Sequence, residues 1–159
     1  MKIYIVSVGN IKEKYLIDAI NEYTKRLSKY TKVEFLKVSD EAINDHPSDK
    51  KIDIIKNKEG EKILKILPSN SYKVALDLKG EMLSSEGLAS KMLDIFSYHN
   101  ANISFIIGGS LGISKAVLDS CDYHLCFSKM TFPHQLMQVI LLEQIYRAFK
   151  INNHETYHK

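Results

Sequence analysis

The chain ends in residue types that can accept protons and bind anions. Arg147 lies near the end of a long apolar segment, and Tyr157 and His158 follow it in a polar tail, residues 154–159. A histidine, with a reference pKa of about 6.5, can accept a proton at neutral pH. A guanidinium offers a planar fork of donors that lysine lacks. Packing gives little reason for these residue types, because such a tail buries almost no apolar surface, so their presence favours a chemical role.

Arg147 has two explanations, and the sequence leaves both open. Arginine occupies only two of the 22 basic positions, so its use against a strong lysine bias points to a role that needs the fork. Glu143 lies four residues earlier, however, and an ion pair at this spacing on a helix surface would also account for the arginine.

The apolar segment before the tail predicts a long helix, which opens at Thr131-Phe132-Pro133-His134. The apolar residues that wrap most of its circumference are Leu136, Met137, Val139, Ile140, Leu141, Leu142, Ile145, Tyr146, Ala148 and Phe149. A helix that is apolar nearly all round must be covered on several sides, and one small domain seldom does this for its last helix. We therefore expect a second subunit to cover part of it, with the tail near that subunit's surface.

Strand and helix patterns alternate along the whole chain. Apolar runs predict strands at residues 2–8, 33–38, 72–78, 103–107 and 123–126. Helical spacing predicts helices at about residues 12–29, from an N-cap at Ser48 to before Pro68, at about 85–98 and 115–120, and after Pro133. Gly60 is expected to weaken the second helix. The alternation predicts one α/β domain over residues 1–159, with a mostly parallel sheet and helices on both faces.

Three loops are candidate binding loops, because open parallel sheets bind ligands beyond the carboxyl ends of their strands. They are residues 78–84, 108–114 and 127–133. Residues 108–112, Gly-Gly-Ser-Leu-Gly, fit neither G-x-G-x-x-G nor G-x-x-x-x-G-K-[ST]. Their glycines indicate either close approach of the backbone to a ligand or a plain tight turn. Residues 127–133 combine apolar side chains with free backbone amides, which suits an adenine bound between hydrophobic walls; an interface loop is the alternative.

Composition restricts the class of function. The net charge of +3 and the pI near 8.7 permit an RNA partner without demanding one. No apolar stretch is long enough to span a membrane and the start does not resemble a signal peptide, so we expect a cytoplasmic protein with no membrane partner. Cys121 and Cys126 flank His124 but lack a second ligand pair, and no H-E-x-x-H motif appears, so we expect reduced cysteines and no metal.

Three segments carry a resemblance to a known family. They are the strand followed by Gly108-Gly109-Ser110-Leu111-Gly112, the run Met130-Thr131-Phe132-Pro133-His134, and Glu143-Gln144-Ile145-Tyr146-Arg147-Ala148 with Tyr157-His158 ten residues after Arg147. Residues 5–9 and the motif Lys58-Glu59-Gly60-Glu61 extend the likeness over essentially the whole length. In these motifs the chain resembles the ribosomal RNA large-subunit methyltransferase H family, which belongs to the SPOUT methyltransferases.

The resemblance implies an enzyme, a cofactor and partners. Members of that family are knotted homodimers that use S-adenosylmethionine to methylate N3 of a pseudouridine in helix 69 of 23S ribosomal RNA. For this chain it implies an rRNA (pseudouridine-N3-)-methyltransferase that acts on the assembled ribosome, with a trefoil knot that periodicity does not predict. Two other functions remain open: a SPOUT methyltransferase acting on tRNA, and a non-catalytic ribosome-associated RNA-binding module.

The family's functional residues carry over position by position. The matching positions for a cofactor pocket are Leu76, Gly108, Phe127, Ser128, Lys129, Met130, Thr131 and Phe132. Arg147, Tyr157 and His158 match the family's C-terminal functional cluster, which by resemblance reaches the other subunit's pocket. We hypothesise that His158 or Tyr157 accepts the N3 proton, or that Tyr157 stacks on the base, while Arg147 stabilises the developing negative charge.

The chain departs from the family pattern in three places. Ser110-Leu111 replaces a Pro-Glu or Ala-Asp pair, Gln138 stands where the family has arginine, and Thr156 stands where it has proline. The absence of proline at position 156 predicts a looser tail. The absence of arginine at position 138 predicts one fewer basic contact with the RNA. We assign His134 to the first turn of its helix and His154 to a solvated position in the tail.

Overall fold

A five-stranded parallel sheet forms the centre of the protein, for which a computed structural model describes residues 1–159. The strands are β1 (Lys2–Val8), β2 (Lys32–Val38), β3 (Tyr72–Met82), β4 (Asn102–Ile107) and β5 (Tyr123–Cys126). Their order in the sheet is β2-β1-β4-β3-β5, and every neighbouring pair is parallel. This confirms the predicted α/β class with a parallel sheet.

Five α-helices cover the two faces of the sheet. They are α1 (Lys14–Leu27), α2 (Asp49–Ile66), α3 (Ser85–Asp94), α4 (Lys115–Asp119) and α5 (His134–Asn152). The predicted cap Ser48 accepts a hydrogen bond from the N–H of Lys51 at 3.3 Å. The third helix differs from its prediction, because α3 continues into a π-helical turn at Ile95–His99. None of the helices has both the length and the apolar character needed to cross a membrane.

The side chains of the strands alternate between two apolar cores. In β4, Ile103, Phe105 and Ile107 point to one face of the sheet and Ile106 points to the other, which accounts for the continuous apolar run in the sequence. Helices α1, α3 and α5 pack on the first face, and α2 and α4 pack on the second. Both faces are therefore closed, and the carboxyl edge of the sheet is left for ligands.

The second helix passes through Gly60 without interruption, and the expected local weakening stays a prediction. Gly60 is buried against α4, because a Cβ atom there would lie 2.1 Å from Ser114 Oγ and 2.9 Å from Ser114 Cβ. The glycine thus lets α2 and α4 approach more closely than a side chain would permit. This packing outweighs a helix propensity that is about 1 kcal/mol less favourable than that of alanine.

The last helix is covered mostly within its own protomer. Leu141, Leu142, Ile145 and Ala148 are fully buried, between α1, α3 and the sheet. One protomer therefore covers more of α5 than the sequence argument assumed, since a helix packs on each flank of α5. Apolar surface stays open at the start of the helix, where Leu136 is 37% exposed.

The third strand extends beyond its predicted end at residue 78. Leu125 of β5 pairs with Leu76 of β3 and again with Glu81, so residues 77–80 form a bulge inside the strand rather than the start of a loop. Gly80 permits this close pairing, because a Cβ atom there would lie 2.6 Å from the backbone oxygen of His124. The sequence prediction was wrong at this point because Gly80 was taken to mark a turn, whereas a glycine within a strand can also mark a bulge.

We expect Gly80→Ala to destabilise the protein by about 2 kcal/mol or more, because the methyl group would meet backbone atoms that cannot rotate away. Gly87→Ala is the matched control. A Cβ atom at Gly87 would be 3.4 Å from its nearest neighbour, Ser84 Oγ, and alanine is favoured in a helix by about 0.5–1 kcal/mol. Urea unfolding followed by circular dichroism measures both variants. Equal midpoints for wild type and Gly80→Ala would contradict the close approach.

Candidate active site

A cavity of about 680 Å³ opens at the carboxyl edge of the sheet. Its walls come from the bulge of β3, the loops after β4 and β5, and the first turn of α5. The lining consists of residues 76–78, 107–113, 125, 127, 128, 130–134 and 137. The predicted cofactor residues in this lining are Leu76, Gly108, Phe127, Ser128, Met130, Thr131 and Phe132. Lys129 belongs to the same loop but does not line the cavity.

Residues 108–112, which follow β4 and which we call the glycine loop, form one wall of the cavity. A Cβ atom at Gly108 would lie 2.7 Å from the carbonyl carbon of Gly112, and Gly112 has a φ of +94°. The N–H of Gly112 donates to the oxygen of Gly109 at 3.0 Å. A left-handed residue and so close a backbone contact both favour glycine. The loop is therefore a tight turn whose backbone lines the cavity, and close approach to a ligand stays a prediction.

The loop between β5 and α5 forms the opposite wall. Ser128 holds it from two directions: its Oγ accepts the N–H of Met130 at 3.0 Å, and its backbone oxygen accepts the thiol of Cys126 at 3.2 Å. Met130 is 74% exposed at the mouth of the cavity. Apolar side chains on a loop fixed by its own hydrogen bonds make a site suited to a flat aromatic ligand.

The cavity also contains residues that the sequence did not single out. Asp77 supplies the only carboxylate in the lining; it accepts the N–H of Lys79 at 3.0 Å and lies 3.3 Å from His124 Nδ1. Asp77 directly follows Leu76, so the strand-end argument points to it as well. Met137 gives no such signal, because its access to the cavity depends on how α5 packs against the sheet.

The two cysteines and the histidine between them have separate partners. Cys121 Sγ donates to Val117 O at 3.2 Å, and His124 Nε2 lies 2.9 Å from Leu118 O. Cys121 and Cys126 are both free thiols. Burial raises the pKa of Cys121 to about 11, so this thiol stays protonated at neutral pH. These contacts are structural, and they draw the side chains toward different backbone groups.

The tail folds back along α5. His154 is exposed, as expected, but its φ of +54° places it in the left-handed region that reverses a chain after a helix. The N–H of Glu155 then donates to Lys150 O at 2.9 Å. The carboxylate of Glu155 accepts hydrogen bonds from Lys150 Nζ and from the hydroxyl of Tyr30. This reversal returns the end of the tail to the surface of α5.

Arg147, Tyr157 and His158 meet at one place. Arg147 Nη1 lies 3.2 Å from His158 Nδ1, and the guanidinium carbon lies 4.7 Å from the centre of the Tyr157 ring. Glu143 joins the group, because its Oε1 accepts hydrogen bonds from Arg147 Nε and from the Tyr157 hydroxyl, each at 3.1 Å. Arg147 thus pairs with Glu143, as the helix-surface explanation predicts, and contacts both tail residues as well.

The partners of His158 fix the position of its proton. Arginine can only donate, so His158 Nδ1 accepts from Arg147 Nη1 and carries no proton. His158 Nε2 lies 2.8 Å from Glu86 Oε1 and donates to it. A backbone hydrogen bond at Glu86 and the bond from His158 hold the pKa of Glu86 below its usual value. In this arrangement the lone pair of His158 Nδ1 is directed at Arg147, and Nε2 is directed at Glu86.

The phenol of Tyr157 is held in its protonated form. Burial, followed by the hydrogen bond to the Glu143 carboxylate, raises the pKa of Tyr157 to about 12. The pKa of Arg147 is also raised, chiefly because Glu143 accepts its hydrogen bonds. At neutral pH both residues are donors, so His158 has the one basic lone pair of the three.

A second cavity, of about 400 Å³, adjoins the first. The two cavities share Leu125, Phe127 and Phe132. The second cavity is also lined by Ser85 and Gln144, whose side chains are hydrogen-bonded at 2.7 Å. These residues are the chain neighbours of Glu86 and Glu143. The second cavity is therefore adjacent to the larger cavity and to chain neighbours of the two carboxylates that contact Arg147, Tyr157 and His158.

Two departures from the family pattern differ from their expected consequences. The tail is not loose where Thr156 replaces proline, because Glu155 and Tyr157 on either side are hydrogen-bonded to Tyr30 and Glu143. Gln138 is 1% exposed. A side chain so buried within its protomer does not face an RNA, so the predicted loss of an RNA contact does not follow. The prediction for Gln138 failed because it assumed that this position is exposed; Thr156 is exposed, and hydrogen bonds of its two neighbours hold the tail there in place of a proline.

We expect the contribution of Tyr157 to stability to depend on pH. Its folded pKa of about 12 lies above the unfolded value near 10, so the stabilisation is complete below pH 10 and is lost as the pH rises toward 12. Urea unfolding of wild type and Tyr157→Phe measures this. The difference in the free energy of unfolding should shrink above pH 10. A difference that stays constant across this range would show that Tyr157 titrates normally.

The fold and the site together define a class of protein, namely an α/β protein with a cavity of small-molecule size, about 680 Å³, at the carboxyl edge of a parallel sheet. A family model described as "Predicted SPOUT methyltransferase" matches residues 1–158. The chain therefore belongs to the SPOUT methyltransferase family.

Relatives with curated names support the resemblance found in the sequence. The "Ribosomal RNA large subunit methyltransferase H" of Clostridium botulinum is 58% identical over 160 residues, and that of Clostridium acetobutylicum is 54% identical over 159 residues. A protein of Methanococcus maripaludis named "Putative ribosomal RNA large subunit methyltransferase H" is also 54% identical over 159 residues. Each alignment covers 100% of this chain and 100% of the relative. These identities confirm the resemblance.

Solved structures share the fold at much lower identity. A probable methylase family protein from Haemophilus influenzae is similar with a TM-score of 0.54 and 14% identity, over 99% of this chain and 70% of that one. A tRNA methyltransferase from Aquifex aeolicus gives a TM-score of 0.51 and 13% identity, over 92% of this chain and 69% of that one. At these identities the likeness concerns the fold alone.

Proposed function

We propose that this protein uses S-adenosylmethionine to methylate N3 of a pseudouridine in helix 69 of 23S ribosomal RNA. The observation that carries the proposal is the presence, in one chain, of an apolar cavity at the carboxyl edge of the sheet and a cluster of Arg147, Tyr157 and His158. The names of the full-length relatives support large-subunit ribosomal RNA as the substrate. The expected partner is then the assembled ribosome in the cytoplasm.

The cavity fits the adenosyl part of this methyl donor. Its volume of about 680 Å³ falls within the range of roughly 300–1,000 Å³ that is common for small-molecule sites. Apolar side chains of the β5–α5 loop can enclose an adenine, and the backbone of the glycine loop can bond to its polar edge. Asp77 offers an acceptor for a hydroxyl or amino group. The proposed cofactor-binding residues are Leu76, Gly108, Phe127, Ser128, Lys129, Met130, Thr131 and Phe132.

We propose a homodimer in which the tail of one protomer completes the cavity of the other. The resemblance supports this arrangement, because by resemblance the C-terminal cluster of Arg147, Tyr157 and His158 reaches the other subunit's pocket. Met130, Phe132 and Leu136 are exposed apolar residues near the cavity mouth. A two-fold axis through this patch would bury it and create two identical sites. The trefoil knot stays a prediction from the resemblance.

The three tail residues would divide the chemistry between them. Bound S-adenosylmethionine supplies an electrophilic methyl group on a sulfonium. The imide N3 of the pseudouridine must lose its proton to attack that methyl carbon, and His158 Nδ1 accepts this proton. Tyr157 stays protonated, because its pKa is about 12, and it donates to the base or stacks on it. Arg147 stabilises the negative charge that develops on the flanking carbonyl oxygens.

Orientation is expected to supply much of the rate enhancement. Holding two reacting groups in line can lower a barrier by up to about 7–11 kcal/mol. Glu143 orients Arg147 and Tyr157 by accepting a hydrogen bond from each, and Glu86 orients the ring of His158. The Tyr157 hydroxyl and the ring of His158 are therefore held in place before RNA binds.

We expect His158→Ala to lower kcat by about 100-fold or more, the usual effect of losing a general base, while the Kd for S-adenosylmethionine is unchanged. His154→Asn is the matched control, because it removes another tail imidazole and asparagine tolerates the left-handed backbone at this position. The assay follows labelled methyl transfer to ribosomes, with calorimetry for cofactor binding. Equal activity of the two variants would remove His158 from the mechanism, and a methyl group mapped outside helix 69 would reject the proposed substrate.

We expect two inactive variants to restore activity when they are combined in one dimer. His158→Ala disables the tail, and Gly108→Val blocks the cavity, since even a Cβ atom at Gly108 lies 2.7 Å from Gly112. A heterodimer purified through two different tags retains one intact tail opposite one intact cavity, so it should recover roughly half of the wild-type rate per dimer. Circular dichroism checks that both variants fold. An inactive heterodimer would show that each tail serves its own protomer.

A further inference from the structure

A buried carboxylate lies against the glycine loop on the side away from the cavity. Glu59 of α2 is 4% exposed, and neither the cavity lining nor the tail cluster includes it. It belongs to the Lys58-Glu59-Gly60-Glu61 motif, whose role the proposed chemistry does not explain. Acidic side chains are almost never fully buried without a partner, so Glu59 must have a reason to occupy this position.

Glu59 contacts two loops at the carboxyl edge of the sheet. Its Oε1 accepts the N–H of Glu41 at 3.1 Å, in the loop that follows β2. Its Oε2 lies against the backbone of Gly109, where a Cβ atom would be only 2.9 Å away. One side chain therefore links the loop after β2 to the loop after β4.

Gly60 supports the same loop at its other end. It packs against Ser114, with space for no Cβ atom. Ser114 caps α4 by accepting the N–H of Val117 on its Oγ. Adjacent residues of α2 thus contact both ends of residues 109–114, most of which line the cavity. Helix α2 therefore supports the glycine loop through contacts at Gly109 and Ser114.

We propose that Glu59 is a positioning residue for the methyl-donor site. Its carboxylate holds Gly109 in place and thereby fixes the position of the glycine loop, which forms one wall of the cavity. The inference rests on the function proposed above for that cavity. A role in stability alone would leave donor affinity unchanged in folded protein. A positioning role weakens donor binding and leaves ribosome binding and the rate at saturating donor nearly unchanged, because the tail residues that act on the base are elsewhere.

Glu59→Ala is expected to weaken S-adenosylmethionine binding about tenfold, since a buried hydrogen bond and a packing contact are lost together. The KM for the donor should rise by a similar factor, with little change in kcat. Glu59→Gln should restore most of the affinity, because its amide oxygen can still accept the N–H of Glu41. Glu61→Gln is the matched control, an exposed carboxylate of the same helix turn. Calorimetry and steady-state kinetics measure these values, with thermal unfolding to confirm folded protein.

A double substitution tests the contact between Glu59 and Gly109. Gly109→Ala alone should weaken donor binding, because its methyl group would meet Glu59 Oε2. Removing the carboxylate relieves that clash, so Gly109→Ala combined with Glu59→Ala should lose less affinity than the two single losses together. Losses that simply add would overturn the proposed contact.

Hydrogen exchange of the protein without donor separates this inference from the proposed function. Amides of residues 109–114 should exchange faster in Glu59→Ala than in wild type or Glu61→Gln. If wild-type protein does not bind S-adenosylmethionine, the proposed function is wrong, and the exchange rates still decide whether Glu59 positions the loop. Unchanged exchange in Glu59→Ala, or unchanged donor affinity where wild type binds, would overturn the inference.

Discussion

The site depends on backbone segments that pack more closely than side chains would allow. Strands β4, β3 and β5 are neighbours in the sheet, so their ends deliver three chain segments to one place. Gly80 lies against the backbone of His124, and Gly108 lies against Gly112. A methyl group at either position would push these segments apart. The sheet brings the segments together, the glycines let them pack, and the cavity is the space enclosed between them.

The cavity stays open because each of its walls is held by local hydrogen bonds. The glycine loop closes on itself through Gly112 and Gly109, the β5–α5 loop is held by Ser128, and the bulge of β3 is held by the carboxylate of Asp77. Walls fixed in this way need little ordering when a ligand enters, which lowers the entropic cost of binding. Contact with α2 adds support from behind the glycine loop.

The sequence predicts the fold well and the site in part, and the differences have physical causes. Apolar runs such as residues 103–107 predicted the strands, and the strand-end rule then located the cavity loops. Gly80 was misread because a glycine in a bulge and a glycine in a turn look alike in one sequence. The fold-back of the tail at His154 and the burial of Glu59 were missed because a polar residue gives no sign of being left-handed or buried until its neighbours are placed. Local patterns therefore identify elements, whereas tertiary packing decides exposure.

The contacts of the tail link substrate binding to activation of the proposed base. His158 Nδ1 accepts a hydrogen bond from Arg147 Nη1 at 3.2 Å, so on the proposed mechanism this contact must break before Nδ1 can accept the N3 proton. On the proposed mechanism Arg147 turns toward the carbonyl oxygens of the target base, which become stronger acceptors as N3 loses its proton. The same movement frees Nδ1, while Glu143 keeps its hydrogen bond to Tyr157. On this mechanism the base becomes available when a pyrimidine with carbonyls beside its imide nitrogen draws Arg147 away, so one arginine would provide both charge stabilisation and a check on the substrate.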